Sequence, residues 1–157
     1  MTIQIRTFVE HDTEQVVALW QAVGLTRPWN DPYRDIERKL TVQPELLLVA
    51  HDGEALVGSV MAGYDGHRGW LYYLASDPAR RGEGIARALV AEAESRLIAM
   101  GCPKVQLMVR PENEGARGFY EALGYEPFDT WATGKRLIAD EPPAAASRTG
   151  GPHPGTP

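Results

Sequence analysis

The first part of the chain changes from a strand-like to a helix-like spacing of apolar residues. Apolar and polar positions alternate over residues 1–8, which predicts a short strand. A helix ending at Gly24 is predicted next, because apolar residues recur at helical spacing at Val16, Val17, Leu19, Trp20 and Val23. A loop with two prolines follows, and then a polar helix is predicted over residues 33–42.

The middle of the chain predicts two hairpins. Two apolar runs flank the pair Asp52 and Gly53, and an Asp-Gly pair between apolar runs is a strong signal for a tight turn. A second hairpin is predicted to turn at Asp65 and Gly66. These strands would form an antiparallel section of sheet.

The second half of the chain predicts a long amphipathic helix between two strands. Its buried face is given by four residues at intervals of four: Ile85, Leu89, Ala93 and Leu97. A strand over residues 104–110, a short helix from 113 to Gly124 and a last strand over residues 130–138 are predicted after it. A helix that crosses between strands of one sheet makes those strands parallel. The order therefore predicts an α+β, mixed-sheet domain.

Composition limits the class of protein and the extent of the domain. The 157 residues suffice for about one domain, and the net charge of −5 argues against general affinity for nucleic acid. No apolar run approaches the roughly 18 residues of a membrane span, and residues 1–8 lack a signal pattern, so a cytoplasmic protein is expected. Residues 139–157 lack large apolar side chains and are expected to be a disordered tail, which leaves 1–138 as the domain.

Cysteine and histidine give no sign of a disulfide or a metal site. Cys102 is the single cysteine, and the four histidines are scattered without ligand spacing. We therefore expect no metal.

The segment RRGEG, residues 80–84, predicts a phosphate-binding turn before the long helix. Backbone amides at a helix start attract anions, and Gly82 and Gly84 would allow phosphate to approach. Arg80 and Arg81 would add forked donors, while Glu83 should point to solvent. An ordinary helix start with solvated arginines is the alternative. A P-loop and a Rossmann fingerprint both fail, because their required lysine and third glycine are missing.

The turn resembles the R-x-x-G-x-G/A loop of the GCN5-related N-acetyltransferase (GNAT) family. Arg81, Gly84 and Ala86 occupy its defining positions. Two flanking motifs also match, L-x-V-x-P and N-x-x-A-x-x-x-Y-x-x-x-G-F/Y, at Leu74, Ser76, Pro78, Asn113, Ala116, Tyr120, Gly124 and Tyr125. The resemblance covers about residues 3–138. The stretches RPWNDP, GYDGHRGW and LGY look closer still to bacterial YpeA-type acetyltransferases.

This resemblance implies a fold, a co-substrate and catalytic residues. The fold is a twisted, mostly antiparallel sheet with a parallel pair splayed around the cofactor site and four flanking helices. In the family, a main-chain N–H of a bulged strand, here Leu74, binds the thioester oxygen, and a tyrosine, here Tyr120, protonates the leaving thiolate. The residues expected to contact acetyl-CoA are Leu74, Ala75, Ser76, Arg80, Arg81, Gly82, Glu83, Gly84, Ile85, Ala86, Arg87, Asn113, Ala116, Phe119 and Tyr120.

The general base is where the sequence departs from related enzymes. Met108 stands where N-terminal acetyltransferases of ribosomal proteins carry a glutamate, and a thioether accepts no proton. Tyr72, Tyr73, Glu112 acting through a water, or an amine that arrives neutral are the open alternatives. A catalytically inactive acyl-CoA-binding sensor or interaction module is the second hypothesis.

The amine acceptor, a small molecule or a peptide, is expected at a polar and aromatic pocket. Its predicted residues are Trp29, Asn30, Asp31, Arg34, Trp70, Tyr72 and Trp131. Asp31 could attract an amine and Arg34 a carboxylate, which would suit an amino-acid-like substrate. Trp29 and Trp131 could equally belong to the core or to a dimer contact. The oligomeric state stays open, and a homodimer is one option because dimers are common in the family.

Overall fold

The computed structural model describes residues 2–140, which form a five-stranded sheet and four α-helices. In chain order the elements are β1 (Gln4–Thr7), α1 (Thr13–Ala22), α2 (Pro32–Thr41), β2 (Leu47–Asp52), β3 (Ala55–Tyr64), β4 (Gly69–Ser76), α3 (Ile85–Ala99), β5 (Val105–Gln106) and α4 (Glu114–Ala122). The chain divides into two compact units, the first ending at Leu107 and the second beginning at Met108.

The sheet has the order β1-β2-β3-β4-β5 and lies in the first unit. All neighbouring strands are antiparallel except β4 and β5, which are parallel. That parallel pair is joined only at Gly69 with Val105 and at Trp70 with Gln106. The rest of β4, from Leu71 to Ser76, therefore has no ladder partner on this side among the described residues. The predicted mixed sheet with one splayed parallel pair is confirmed.

Both faces of β2 are covered. Its residues Leu47, Leu48, Val49 and Ala50 are all 0% exposed. Leu47 and Val49 pack in one cluster with Val16, Trp20 and other residues of α1 and α2. Since successive side chains of a strand point to opposite faces, Leu48 and Ala50 face the other side of the sheet, where α3 packs.

Helix α3 approaches the sheet closely at Gly58 of β3. A Cβ atom at Gly58 would lie 2.8 Å from Ile85 Cγ2 and 2.8 Å from Leu89 Cδ1. Both side chains are buried and belong to the first turns of α3. The absence of a side chain at this position therefore sets how near the start of α3 lies to β3 and β4.

Two predicted strands differ from the structure. The strand expected over residues 104–110 is limited to Val105–Gln106. The last strand expected over residues 130–138 is wrong, because those residues form no strand. Their apolar side chains are exposed, Trp131 by 86% and Leu137 by 85%. A strand preference reflects how well a residue fits a half-buried, paired surface, and residues 130–138 have no such surface to pack on.

The predicted tail lies outside the described residues except for Ala139 and Asp140. Within residues 2–140, no helix is long and apolar enough to cross a membrane.

The close contact at Gly58 gives a stability prediction. Gly58→Ala should lower the free energy of unfolding by about 1–3 kcal/mol, because the added methyl overpacks the contact with Ile85 and Leu89. Gly118→Ala is the matched control, since a Cβ there meets nothing within 4 Å. It should raise the free energy of unfolding by about 0.5–1 kcal/mol through helix propensity. Denaturation in urea checks both, and equal effects would contradict the close approach.

Candidate active site

Strand β4 carries a bulge where it pairs with β3. Met61 pairs with Tyr72 and Ser59 pairs with Ala75, so Tyr73 and Leu74 together oppose the single residue Val60. Tyr73 has φ +53°, in the left-handed region that bulky residues rarely adopt. A bulge interrupts the ladder and leaves the extra residue unpaired. Strand β4 is therefore not regular at Tyr73 and Leu74.

The strained backbone of Tyr73 is held by contacts on both its ring and its carbonyl. Its ring stacks on Trp20 of α1, with centroids 3.8 Å apart and planes at 11°. The Ser59 hydroxyl donates to the Tyr73 carbonyl at 2.9 Å and accepts from Trp20 Nε1 at 2.8 Å. A left-handed non-glycine residue costs about 1–3 kcal/mol and persists only where its surroundings overdetermine it. These contacts supply that constraint.

The phenol of Tyr73 joins the bulge to α2. Its hydroxyl donates to Asp35 Oδ2 at 2.6 Å, and Asn30 Nδ2 donates to the same hydroxyl at 3.1 Å. Arg38 NH1 lies 3.2 Å from Asp35 Oδ1. Sequence reasoning named Asn30 and Tyr73 but missed Asp35, because only the fold brings α2 beside β4.

The predicted phosphate turn connects a short 3-10 helix, Pro78–Arg80, to the start of α3. Gly82 and Gly84 have φ +82° and +80°, so both need the freedom of glycine. Gly84 is the N-cap of α3 and provides no side-chain cap, unlike Asp31 at α2 and Asn113 at α4. The first amides of α3 therefore lie at the positive end of the helix without a side-chain acceptor.

Arg80 and Glu83 are arranged differently from the sequence prediction. Arg80 NH2 lies 3.0 Å from Asp52 Oδ2 and 3.0 Å from Glu83 Oε1. The arginine thus ties the turn to the end of β2, and Glu83 faces Arg80. Arg81, in contrast, is exposed and forms no ion pair with the described residues.

The other predicted cofactor residues of the first unit offer mainly their backbone. Leu74 belongs to the bulge, and Ala75 and Ser76 end β4. Ala75 and Ile85 have buried side chains, so only their main-chain groups can face a ligand. Ala86 is half-buried and Arg87 is exposed on the first turn of α3.

The second unit contains the predicted acid. Tyr120 of α4 makes edge contacts with Phe119 and Tyr125, at centroid distances of 5.1 Å and 5.3 Å. Burial raises the pKa of Tyr120 to about 12, so its phenol stays protonated at neutral pH. Asn113 Oδ1 accepts from Ala116 N at 3.1 Å and caps α4. Ala116 is half-buried on the same helix.

A groove of about 390 Å³ lies beside the bulge, between α2 and strands β3 and β4. Residues that line it include Asp35, Arg38, Lys39, Ala62, Tyr72 and Tyr73. The groove adjoins the bulge, because Tyr72 and Tyr73 line it and immediately precede Leu74 in β4.

The residues predicted for the acceptor pocket are only partly brought together. Tyr72 lines the groove and stacks on Trp70 at 6.5 Å, and Asn30 contacts Tyr73. Asp31 caps α2 and lies 3.8 Å from Arg34, so this pair interacts with itself and does not line the groove. Trp29 is half-buried in the loop before α2, and Trp131 belongs to the second unit.

Comparison with known sequences assigns the chain to a family. A model of the acetyltransferase (GNAT) family matches residues 10–125. An acetyltransferase of Yersinia enterocolitica is 55% identical over 139 residues, covering 88% of this chain and 99% of the relative. One of Pectobacterium atrosepticum is 54% identical over 138 residues, with coverage of 88% and 98%. The chain therefore belongs to the GNAT family, and its class of activity is N-acetyltransferase.

Solved structures agree with this fold. Ard1 from Thermoplasma volcanium matches with a TM-score of 0.72 at 25% identity, covering 82% of this chain and 86% of that one. AAC(6′)-Iy, solved with a bisubstrate analogue of CoA, matches with a TM-score of 0.73, covering 88% and 100%. At 19% identity, this second match shows the fold alone.

The burial of Tyr120 gives an alkaline titration prediction. The difference in phenolate absorbance between the parent and Tyr120→Phe should show one phenol titrating near pH 12, above the ordinary value of about 10. The stability due to the neutral phenol should be fully present below about pH 10 and lost as the pH rises toward about 12. A difference titration centred near pH 10 would contradict the burial.

Proposed function

We propose that this protein transfers an acetyl group from acetyl-CoA to a primary amine by direct transfer in a ternary complex. One continuous segment carries the proposal: the bulge at Tyr73 and Leu74 leads through two left-handed glycines to a helix start without a side-chain cap. Residues 1–138 would form the acetyltransferase domain, which includes the whole family match at 10–125.

The turn before α3 has the donor set that the pyrophosphate of acetyl-CoA requires. The amides from Gly82 to Arg87 would bind its oxygens, and no Cβ at Gly82 or Gly84 obstructs their approach. Arg81 would add a charged donor. Arg80, which is bound to Asp52 and Glu83, would hold the turn in place instead of binding phosphate directly.

The bulge would supply the oxyanion donor. When the amine attacks, negative charge develops on the thioester oxygen, and a preorganised N–H stabilises that charge. We assign this N–H to Leu74, because the bulge removes this part of β4 from regular pairing. The backbone of Ala75 and Ser76 would bind the pantetheine arm along the side of β4 that β5 leaves uncovered.

Tyr120 would protonate the departing thiolate. Burial raises the pKa of Tyr120 to about 12, so at neutral pH the phenol carries the proton that it would donate. Asn113 Oδ1 is already used by the helix cap, so its Nδ2 group is the part left to contact the cofactor arm.

The amine must lose a proton before it attacks, and Met108 cannot accept one. Of the open alternatives, the contacts favour Tyr73, whose hydroxyl already donates to Asp35 at 2.6 Å. The phenol oxygen can take the proton of the ammonium group while its own proton passes to the Asp35 carboxylate. The charges of ammonium and carboxylate are thereby neutralised together.

Cofactor binding can be tested with the arginine that faces outward. Saturating acetyl-CoA should raise the melting temperature. At a concentration one hundred times Kd it should add about 2.7 kcal/mol to the free energy of unfolding. Arg81→Ala should weaken binding by about ten-fold or more, because a charged hydrogen bond contributes about 1.5–3 kcal/mol. Arg68→Ala, in the loop between β3 and β4, removes the same charge and should bind normally. No stabilisation of the parent by acetyl-CoA would refute the proposal.

The catalytic acid can be tested separately from binding. Tyr120→Phe should lower kcat by about 100-fold or more, the usual contribution of a general acid, and leave acetyl-CoA affinity nearly unchanged. The assay is release of CoA thiol with a panel of amines. If acetyl-CoA binds but neither parent nor variant turns over any amine, the acyl-CoA-binding sensor becomes the better description.

A further inference from the structure

Lys39 is a buried cation in the groove beside the bulge. It is 8% exposed, and its Nζ donates to the Ala62 carbonyl of β3 at 2.5 Å. No carboxylate forms an ion pair with Lys39 within residues 2–140. Burial lowers the pKa of Lys39, while Glu45 opposes this shift from beyond ion-pair distance.

An ammonium group in this setting needs an anion. Its nitrogen carries three donors, and the carbonyl of Ala62 accepts one of them. Burying a charge costs several kcal/mol unless it is paired and hydrogen-bonded. Folding has therefore placed a positive charge that has no ion-pair partner among the described residues against the wall of a groove, and a bound carboxylate would pair with it.

Lys39 and the bulge border the same groove. Lys39 lines it together with Tyr72 and Tyr73, and these two tyrosines immediately precede Leu74 in β4. A ligand held in this groove would therefore lie against both Lys39 and the strand segment that leads to Leu74.

The charges around the groove favour the same class of ligand. Arg38 and Asp35 also line the groove, and they form an ion pair at 3.2 Å in which their charges offset each other. The lining of the groove therefore carries one net positive charge, that of Lys39. It would attract a carboxylate and repel an acceptor that carries several positive charges.

Building on the proposed acetyl transfer at Leu74, we infer that the acceptor is a small amine that also carries a carboxylate, such as an amino acid. Lys39 binds that carboxylate and so determines which amines are accepted. Acetylation forms the new N–C bond, breaks the thioester C–S bond and leaves the carboxylate unchanged. The products are an N-acetylated amino acid or a close analogue, and free CoA thiol.

The test compares each carboxylate with its own amide. The twenty standard amino acids, β-alanine and their carboxamides are assayed with acetyl-CoA by release of CoA thiol, using the full chain. The parent should prefer at least one acid over its amide by ten-fold or more in kcat/KM. In Lys39→Met this preference should disappear through a higher KM for the acid, with the amide little affected.

The control variant is Lys135→Met, which removes the same charge from an exposed position. It should keep the preference of the parent. Lys39→Met should also be at least as resistant to heat as the parent, because it removes an unpaired buried charge. A purely structural lysine would instead leave the ratio of acid to amide unchanged and lower the melting temperature.

The outcomes separate this inference from the proposed function. Equal use of acids and amides by the parent would overturn the inference and leave acetyl transfer intact. If no amine is acetylated, acetyl transfer to the tested amines fails, and binding decides the inference without turnover. N-acetylglycine should then bind the parent at least ten-fold more tightly than N-acetylglycinamide by calorimetry, and Lys39→Met should abolish the difference. Equal or absent binding of both would overturn the inference.

Discussion

The left-handed backbone of Tyr73 is the constraint on which the proposed chemistry depends. It lets two residues of β4 oppose one residue of β3, and this takes Leu74 out of regular pairing. The conformation is costly for a tyrosine, and Trp20, Ser59 and Asp35 hold it through a ring stack and two hydrogen bonds. The proposed oxyanion donor would thus be positioned by α1, α2 and β3 together, not by β4 alone.

The same packing relates the bulge to the phosphate turn. Gly58 lets α3 lie against β3, so the start of that helix is held near the end of β4. Arg80 fastens the intervening turn to Asp52 at the end of β2. The proposed donor for the thioester and the proposed donors for phosphate are therefore carried by one short run of chain with both ends anchored. Such preorganisation is what electrostatic catalysis requires.

Local patterns predicted the features whose physical cause is local. Glycines at 82 and 84 indicated a turn before the long helix, and a short helix was predicted from residue 113. In the structure both glycines have positive φ, and Asn113 caps α4. The charged residues that line the groove were not predicted from local patterns. Asp31 and Arg34 were chosen for their charge, yet Asp35 and Lys39, one turn further along α2, line the groove. Lys39 contacts Ala62, 23 residues away, and nothing in the local sequence indicates that contact.

By itself, the sequence determined the strand and helix order as far as α4, the mixed sheet and the membership of an acetyltransferase family. Periodic burial, turn-forming residues and the spacing of a loop motif are properties of neighbouring residues, so they can be recognised without a fold. Only the tertiary structure decided that residues 130–138 form no strand, that Tyr73 is held in a strained conformation and that Lys39 is a buried cation with no paired carboxylate in the described part of the chain. Pairing, strain and burial depend on residues distant in the chain, because each is set by what packs against a residue.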